Sequence, residues 1–189
     1  MRVLLHTCCG PCASACIPRL KDEGHEVALY FSNCNIDTAD EFAKRLAAAQ
    51  ILANHDGVEL YADTYDHARW LREVAAGFEN EPEKGARCDR CFEFSLTRAL
   101  AFAREHGFDA VATSLTVSPH KPSQRIFSAG ERACALGAGD VLLLHADFKK
   151  REGFKLSVQR AAVLNLYRQS YCGCEFSRLQ GERKVLHHG

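Results

Sequence analysis

Apolar positions along the chain come in strand-length runs separated by longer segments of helical period. The runs are Val3 to Leu5, Val27 to Phe31, Val58 to Tyr61, Ala110 to Thr113 and Val141 to Leu144. Between them, Asp40 to Asn54 is rich in alanine and leucine. Phe92 to His106 repeats apolar residues at three and four and stops at Gly107, and Leu156 to Tyr167 does the same after Gly153. This βαβα rhythm predicts an α/β fold: a mainly parallel five-stranded sheet, helices on both faces, right-handed crossovers. Sheets of this kind bind ligands beyond the carboxyl ends of their strands, so the segment after each strand carries the functional information.

Those exits are polar and rich in sulfur. His6-Thr7-Cys8-Cys9 follows the first run and Ser32-Asn33-Cys34-Asn35 the second. Ser114-Leu115-Thr116-Val117-Ser118-Pro119-His120-Lys121 follows the fourth, and His145-Ala146-Asp147-Phe148-Lys149-Lys150 the fifth. One rim of the sheet is expected to collect them all.

Composition narrows the class. A chain of 189 residues that is 47% hydrophobic can build one sizeable core. Lys plus Arg and Asp plus Glu are equal at 24 each, so a polyanion would have to be held by a local basic patch. The longest apolar stretches are strand-sized, and Met1 leads straight into a strand pattern, so a cytoplasmic protein without a membrane span is expected. In such a chain ten cysteines point to metal or redox work and not to a disulfide scaffold.

Cys16 and Cys134 lie in apolar helical context and read as small core residues. The others fall into Cys8, Cys9 and Cys12 in HTCCGPC, Cys34, Cys88 and Cys91 in RCDRC, and Cys172 with Cys174 in YCGC. Cys88 and Cys91 open a helix, where i, i+3 spacing brings two thiolates together and the helix N-terminus favours their charge. With Cys8 and Cys9 they make four thiolates, which suits tetrahedral zinc or a four-iron cluster. Zinc knots usually space their ligands two to four residues apart, so the adjacent Cys8-Cys9 pair favours the cluster. Cys172-Gly173-Cys174 is too short for a comfortable disulfide unless the glycine bends the backbone, so it reads as an easily reduced redox couple or as two free thiols.

HTCCGPC, RCDRCFEFSL, TSLTVSPHK, ADFKKREG and NLYRQSYCGC, in that order, resemble the QueH-type epoxyqueuosine reductases over about residues 1 to 177. The resemblance implies a single α/β iron-sulfur reductase domain over 1–177, Rossmann-like and related to the nucleotide-binding α-hydrolase group, with no role given to 178–189. It implies reduction of epoxyqueuosine to queuosine at the wobble position of tRNA. It also implies a [4Fe-4S] cluster on Cys8, Cys9, Cys88 and Cys91 and a redox-active disulfide between Cys172 and Cys174. A further mononuclear iron belongs to the same picture, with Cys12 and Asp147 as its candidate ligands.

Removing an epoxide oxygen to leave an alkene needs two electrons and a route for oxygen to water, so a one-electron cluster requires a second store. Cys172 and Cys174 can supply it, or an iron site can act as a Lewis acid on the oxygen. His120, Lys121 and Asp147 are candidate proton donors. Lys121, Arg125, Lys149, Lys150, Arg151, Lys155 and Arg168 could hold phosphates of a single-stranded anticodon loop, and Tyr167 and Tyr171 could stack on a base. An electron donor is implied but not identified. Two rivals stand beside this reading: a tRNA-thiolating enzyme of similar fold and a zinc-stapled RNA-binding module. A thiolating enzyme would normally carry a Gly-rich phosphate loop after the first strand, where Cys8-Cys9-Gly10-Pro11-Cys12 stands instead, so ATP is not expected.

Overall fold

A computed structural model describes residues 1–186, with side chains through Gly181. Five strands, β1 (Arg2–His6), β2 (Glu26–Phe31), β3 (Leu60–Ala62), β4 (Ala110–Thr113) and β5 (Leu142–Leu143), form one sheet in the order β3-β2-β1-β4-β5. Every neighbouring pair is parallel, with Leu5 opposite both Leu29 and Ala112. The order reverses at β1, so the crevice between the β1 and β4 exits is the switch point where such sheets take ligands.

Alternation along the strands sorts the helices between two faces. Val3, Leu5, Leu29 and Ala112 pack against α1 (Gly10–Asp22), α2 (Ala39–Asp56) and α6 (Gly153–Val163). Leu4, Ala28, Tyr30 and Val111 pack against α4 (Ala86–Glu105) and α5 (Ser123–Ala135). The short α3 (His67–Trp70) runs into a π-helical turn, Leu71–Ala75, and buries Trp70. Helix α7 (Glu175–Leu186) follows the Cys-Gly-Cys loop and crosses residue 177.

The sheet and its two-faced cover are as the periodicity predicts, but some element bounds differ. The helix expected over 156–167 ends at Val163, because Asn165 adopts a left-handed conformation (φ 48°). The Leu166 amide then bonds back to Ala161 O at 2.9 Å and the Leu166 side chain turns into the core. Asparagine tolerates that conformation better than most residues. Helix α1 has no clean apolar stripe because it is covered by the sheet, α2 and α6 together. It also contains Pro18, which has no N–H for the carbonyl of Ser14; Arg160 Nη1 of α6 donates to that carbonyl at 2.6 Å.

Candidate functional site

Seven of the ten cysteines line one cavity of about 490 Å³ at the carboxyl rim: Cys8, Cys9, Cys12, Cys88, Cys91, Cys172 and Cys174. Each group arrives on a different element.

Cys8 and Cys9 leave β1, and Cys12 lies in the first turn of α1. Their sulfurs all lie within 4.8 Å of one another, with Cys8 and Cys9 Sγ 4.0 Å apart. Gly10 permits this placement: a Cβ there would lie 2.7 Å from the carbonyl oxygen of Ala48, so only glycine lets α1 start so close to α2. The β4 exit buttresses the trio, since the Cys8 N–H donates to Ser114 Oγ at 3.0 Å and the Ser114 hydroxyl donates to Cys8 Sγ at 3.3 Å. Asn33, from the β2 exit, donates to Thr7 O at 2.9 Å.

Cys88 and Cys91 occupy the first turns of α4. The Lys84 N–H donates to Cys88 Sγ at 3.2 Å and the Trp70 indole N–H to Cys91 Sγ at 3.4 Å. Arg87, immediately before Cys88, is buried, donates to the carbonyls of Phe78, Glu79 and Glu81, and stacks 4.0 Å over the Phe176 ring of α7.

The third group is held by α2. Arg45, only 2% exposed and paired with Glu41 at 2.7 Å, donates to Cys172 O at 2.9 Å and to Tyr171 O at 3.3 Å. The Asp37 N–H donates to Gly173 O at 2.9 Å, and the Cys172 N–H to Ser177 Oγ at 3.0 Å. Cys172 and Cys174 are free thiols, and Cys174 packs beside Cys91 against the buried Cys34 and Trp70. Cys34 does not line the cavity, Cys16 is core, and Cys134 packs against the core from α5.

Electrostatics distinguish the thiols. Hydrogen bonding from Cys12 and then Cys9, aided by Lys121 and Ser114, holds Cys8 well below the usual thiol range despite burial. Cys12, which donates to Cys8 and to Cys9, is raised well above that range. Cys9 accepts from Cys12, but its bond to Cys8 and its burial leave it at about 12. Burial raises Cys88 and Cys91, and pushes Cys174 up to about 12. Burial works against the Lys121 ammonium, yet Cys172, Cys8, Cys12 and Cys9 together raise it above its ordinary value. That ammonium thus faces thiols from two groups at once.

The remaining candidates divide. His120, Lys121, Arg125 and Arg168 line the cavity; Asp147, Lys149 and Lys150 do not. Asp147 accepts from the Ser123 hydroxyl at 2.9 Å and from the Lys149 N–H at 3.2 Å. Lys149 Nζ donates to Lys121 O and Ser123 Oγ, both at 2.7 Å, which makes it a prop for the Lys121 backbone. Arg125 is tied to Asp89 and to the carbonyls of Lys84 and Gly85. The Tyr167 and Tyr171 hydroxyls are bound to Glu41 and Asp37, each at 2.7 Å.

The protein-family model described as epoxyqueuosine reductase QueH matches residues 3–180. The chain belongs to the QueH family. A curated relative, the epoxyqueuosine reductase QueH of Streptococcus pyogenes serotype M1, is 34% identical over 186 residues, covering 95% of this chain and 71% of the relative. That of Dehalococcoides mccartyi is 32% identical over 180 residues, covering 95% and 93%. A solved structure described as a predicted subunit of tRNA methyltransferase from Methanocaldococcus jannaschii shares the fold, with a TM-score of 0.51 at 16% identity over 84% of this chain and 76% of that one.

For this QueH-family chain the cavity offers a soft donor set. Cys8, Cys9 and Cys12 could hold a metal ion, and a thiolate set of this kind suits iron-sulfur or zinc over magnesium or calcium. Cys88 and Cys91 share the cavity with this trio, so its thiols are of the chemistry an iron-sulfur cluster requires. Arg45, Glu41, Asp37 and Trp70 are the supporting residues that motif reading misses. For Arg45 and Glu41 the signal is burial of charge on α2, which appears only once the fold is known.

Proposed function

We propose that the chain is an oxidoreductase of tRNA modification that reduces epoxyqueuosine to queuosine at the wobble position. The observation that supports it is the convergence of three cysteine groups on one cavity at the switch point of the sheet, in a member of the QueH family. In this reading Cys8, Cys9, Cys88 and Cys91 would hold a [4Fe-4S] cluster, which supplies one-electron transfer when bound. Cys12 is the remaining thiol of the trio and the candidate ligand for an additional iron. A role for Asp147 beside it has less support, given its bonds to Ser123 and Lys149.

The balance is two electrons and two protons. Both carbon–oxygen bonds of the epoxide break, an alkene forms, and the oxygen leaves as water. The Cys172 and Cys174 thiols can release two electrons and two protons in becoming a disulfide, and an external donor then restores them. Lys121 and His120 both line the cavity and are the candidate proton donors to the leaving oxygen. A tRNA substrate is in keeping with a cytoplasmic activity. Among the described residues no helix is long and apolar enough to cross a membrane.

The test is anaerobic purification with iron and sulfide analysis, followed by turnover of epoxyqueuosine-tRNA scored by mass spectrometry of its nucleosides. Brown protein with about four irons and four sulfides, bleached by Cys88→Ala or Cys91→Ala, and formation of queuosine are expected. Stoichiometric zinc, no iron and no product would favour the RNA-binding module instead.

A further inference from the structure

We infer that Phe154, with Arg168 laid on its ring, is a stacking platform for a nucleobase next to the modified one, an inference that rests on the tRNA reading above. Phe154 lines the cavity and is 37% exposed, whereas Phe92, the other phenylalanine of that wall, is buried at 7%. The two tyrosines that motif reading offers for this task are otherwise engaged. Tyr167 is outside the cavity lining and bonded to Glu41, and Tyr171 is bonded to Asp37 under the Arg45 guanidinium, 5.2 Å away.

A single exposed phenylalanine usually needs no explanation. Three observations set this one apart. The Arg168 guanidinium lies 5.3 Å over the ring and makes no ion pair or hydrogen bond to protein among the described residues, unlike Arg125, which is tied to Asp89. The backbone that delivers Phe154 is fixed: Arg151 and Glu152 both hold left-handed conformations, at φ 56° and 59°. A Cβ on Gly153 would lie 1.7 Å from Phe148 O, and Phe148 is itself buried in the core. Two successive non-glycine residues in that region are uncommon and are retained where position matters.

A flat apolar ring backed by a cation suits a nucleobase, because every base has a π-face and arginine adds a cation–π contribution without reading sequence. A neighbour of the target base held on this rim would leave the target free to enter the cavity among the thiols. Phe154 thus acts on tRNA affinity and not on electron transfer.

The experiment uses the anaerobic holoprotein with full tRNA carrying epoxyqueuosine, and the same tRNA carrying guanosine at that position. Phe154→Ala is expected to weaken binding of both by roughly ten-fold, with iron and sulfide content unchanged, while Phe154→Tyr binds like the parent. Phe154→Trp adds an exposed indole beside Trp70, the one native tryptophan, which is 1% exposed. Its fluorescence should be quenched by tRNA with the Kd of binding. Parent-like affinity of Phe154→Ala, or bound tRNA with no quenching in Phe154→Trp, overturns the inference. So does a change in sedimentation mass of Phe154→Ala without any change in RNA affinity, which would make this face a contact between copies. If the parent binds tRNA through Phe154 yet forms no queuosine, the reductase reading fails and the platform stands; if the parent forms queuosine and Phe154→Ala binds equally well, only the platform falls.

Discussion

Gly173 sits at φ 142°, and a Cβ there would come within 2.8 Å of Asn35 Nδ2 and 3.3 Å of Arg45 Nη1. The residue between the two thiols is thus constrained from both directions: its backbone conformation disfavours a side chain, and the space is filled by the groups that hold the loop. Arg45 donates to two successive carbonyls, at Tyr171 and Cys172, from a buried pair with Glu41. Lysine keeps the charge but lacks the fork that reaches both. Gly173→Ala and Arg45→Lys should therefore leave iron and sulfide content intact while lowering multiple-turnover formation of queuosine by at least about ten-fold, the expected cost of misplacing a reacting group by a fraction of its reach. Parent-like turnover in either variant would remove the loop from the chemistry. The thiols themselves are legible as letters, because two cysteines one glycine apart stand out in any sequence. Arg45 and Glu41 are not, since an acid and a base four apart on a helix usually form an exposed pair. Only the fold reveals that this pair lies under the returning C-terminal loop.

Helix α1 illustrates how far an element can be read in advance. The amphipathic α4 is visible from its spacing, because one face meets the sheet and the other meets solvent. The centre of α1 touches the sheet, α2 and α6, so its apolar residues follow no single period, and Pro18 argues locally against a helix at all. What rescues it is tertiary. Arg160 of α6 donates to the orphaned Ser14 carbonyl and pairs with Asp56 at 2.6 Å, fastening α6, α1 and the end of α2 together. Loss of that arginine leaves a buried carbonyl and a nearly buried carboxylate without it, so Arg160→Ala should cost about 2–4 kcal/mol in denaturant unfolding. Pro18→Ala restores an N–H at the position that would bond Ser14 O, so it should recover about 1 kcal/mol in the Arg160→Ala background and less in the parent. Additive effects of the two substitutions would mean that Arg160 does not serve the carbonyl freed by the proline. The strands β3 and β5 are foreseen as the apolar runs Val58 to Tyr61 and Val141 to Leu144, with only their bounds shifted, whereas the π-helical turn near Trp70 escapes periodicity because five residues are too brief to show one.

Across the whole molecule the charges cancel, 24 basic against 24 acidic, so attraction to a polyanion depends on which cations remain outside internal pairs. Many do not. Arg45 is bound to Glu41, Arg98 to Asp63, Arg125 to Asp89, Arg160 to Asp56 and Arg178 to Asp37. Lys149 and Lys150 stand side by side in the sequence and divide on this point. Burial lowers the Lys149 ammonium from its ordinary value, and two short hydrogen bonds hold it against Lys121 and Ser123. The Lys150 side chain is exposed, with no ion pair or hydrogen bond at its ammonium among the described residues. A cation already spent inside the protein releases no counterions when RNA binds, whereas an exposed one that meets a phosphate does. Lys150→Ala should therefore flatten the dependence of log K on log salt for tRNA by about 0.7, the contribution of one single-strand phosphate. Lys149→Ala should leave that slope unchanged and act instead through the backbone of Lys121, lowering turnover more than affinity. The measurement is tRNA affinity at four or more salt concentrations for the parent and both variants. An equal loss of slope in both would show that Lys149 leaves its internal partners to meet the phosphate, and the division between propping and binding cations at the β5 exit would have to be abandoned.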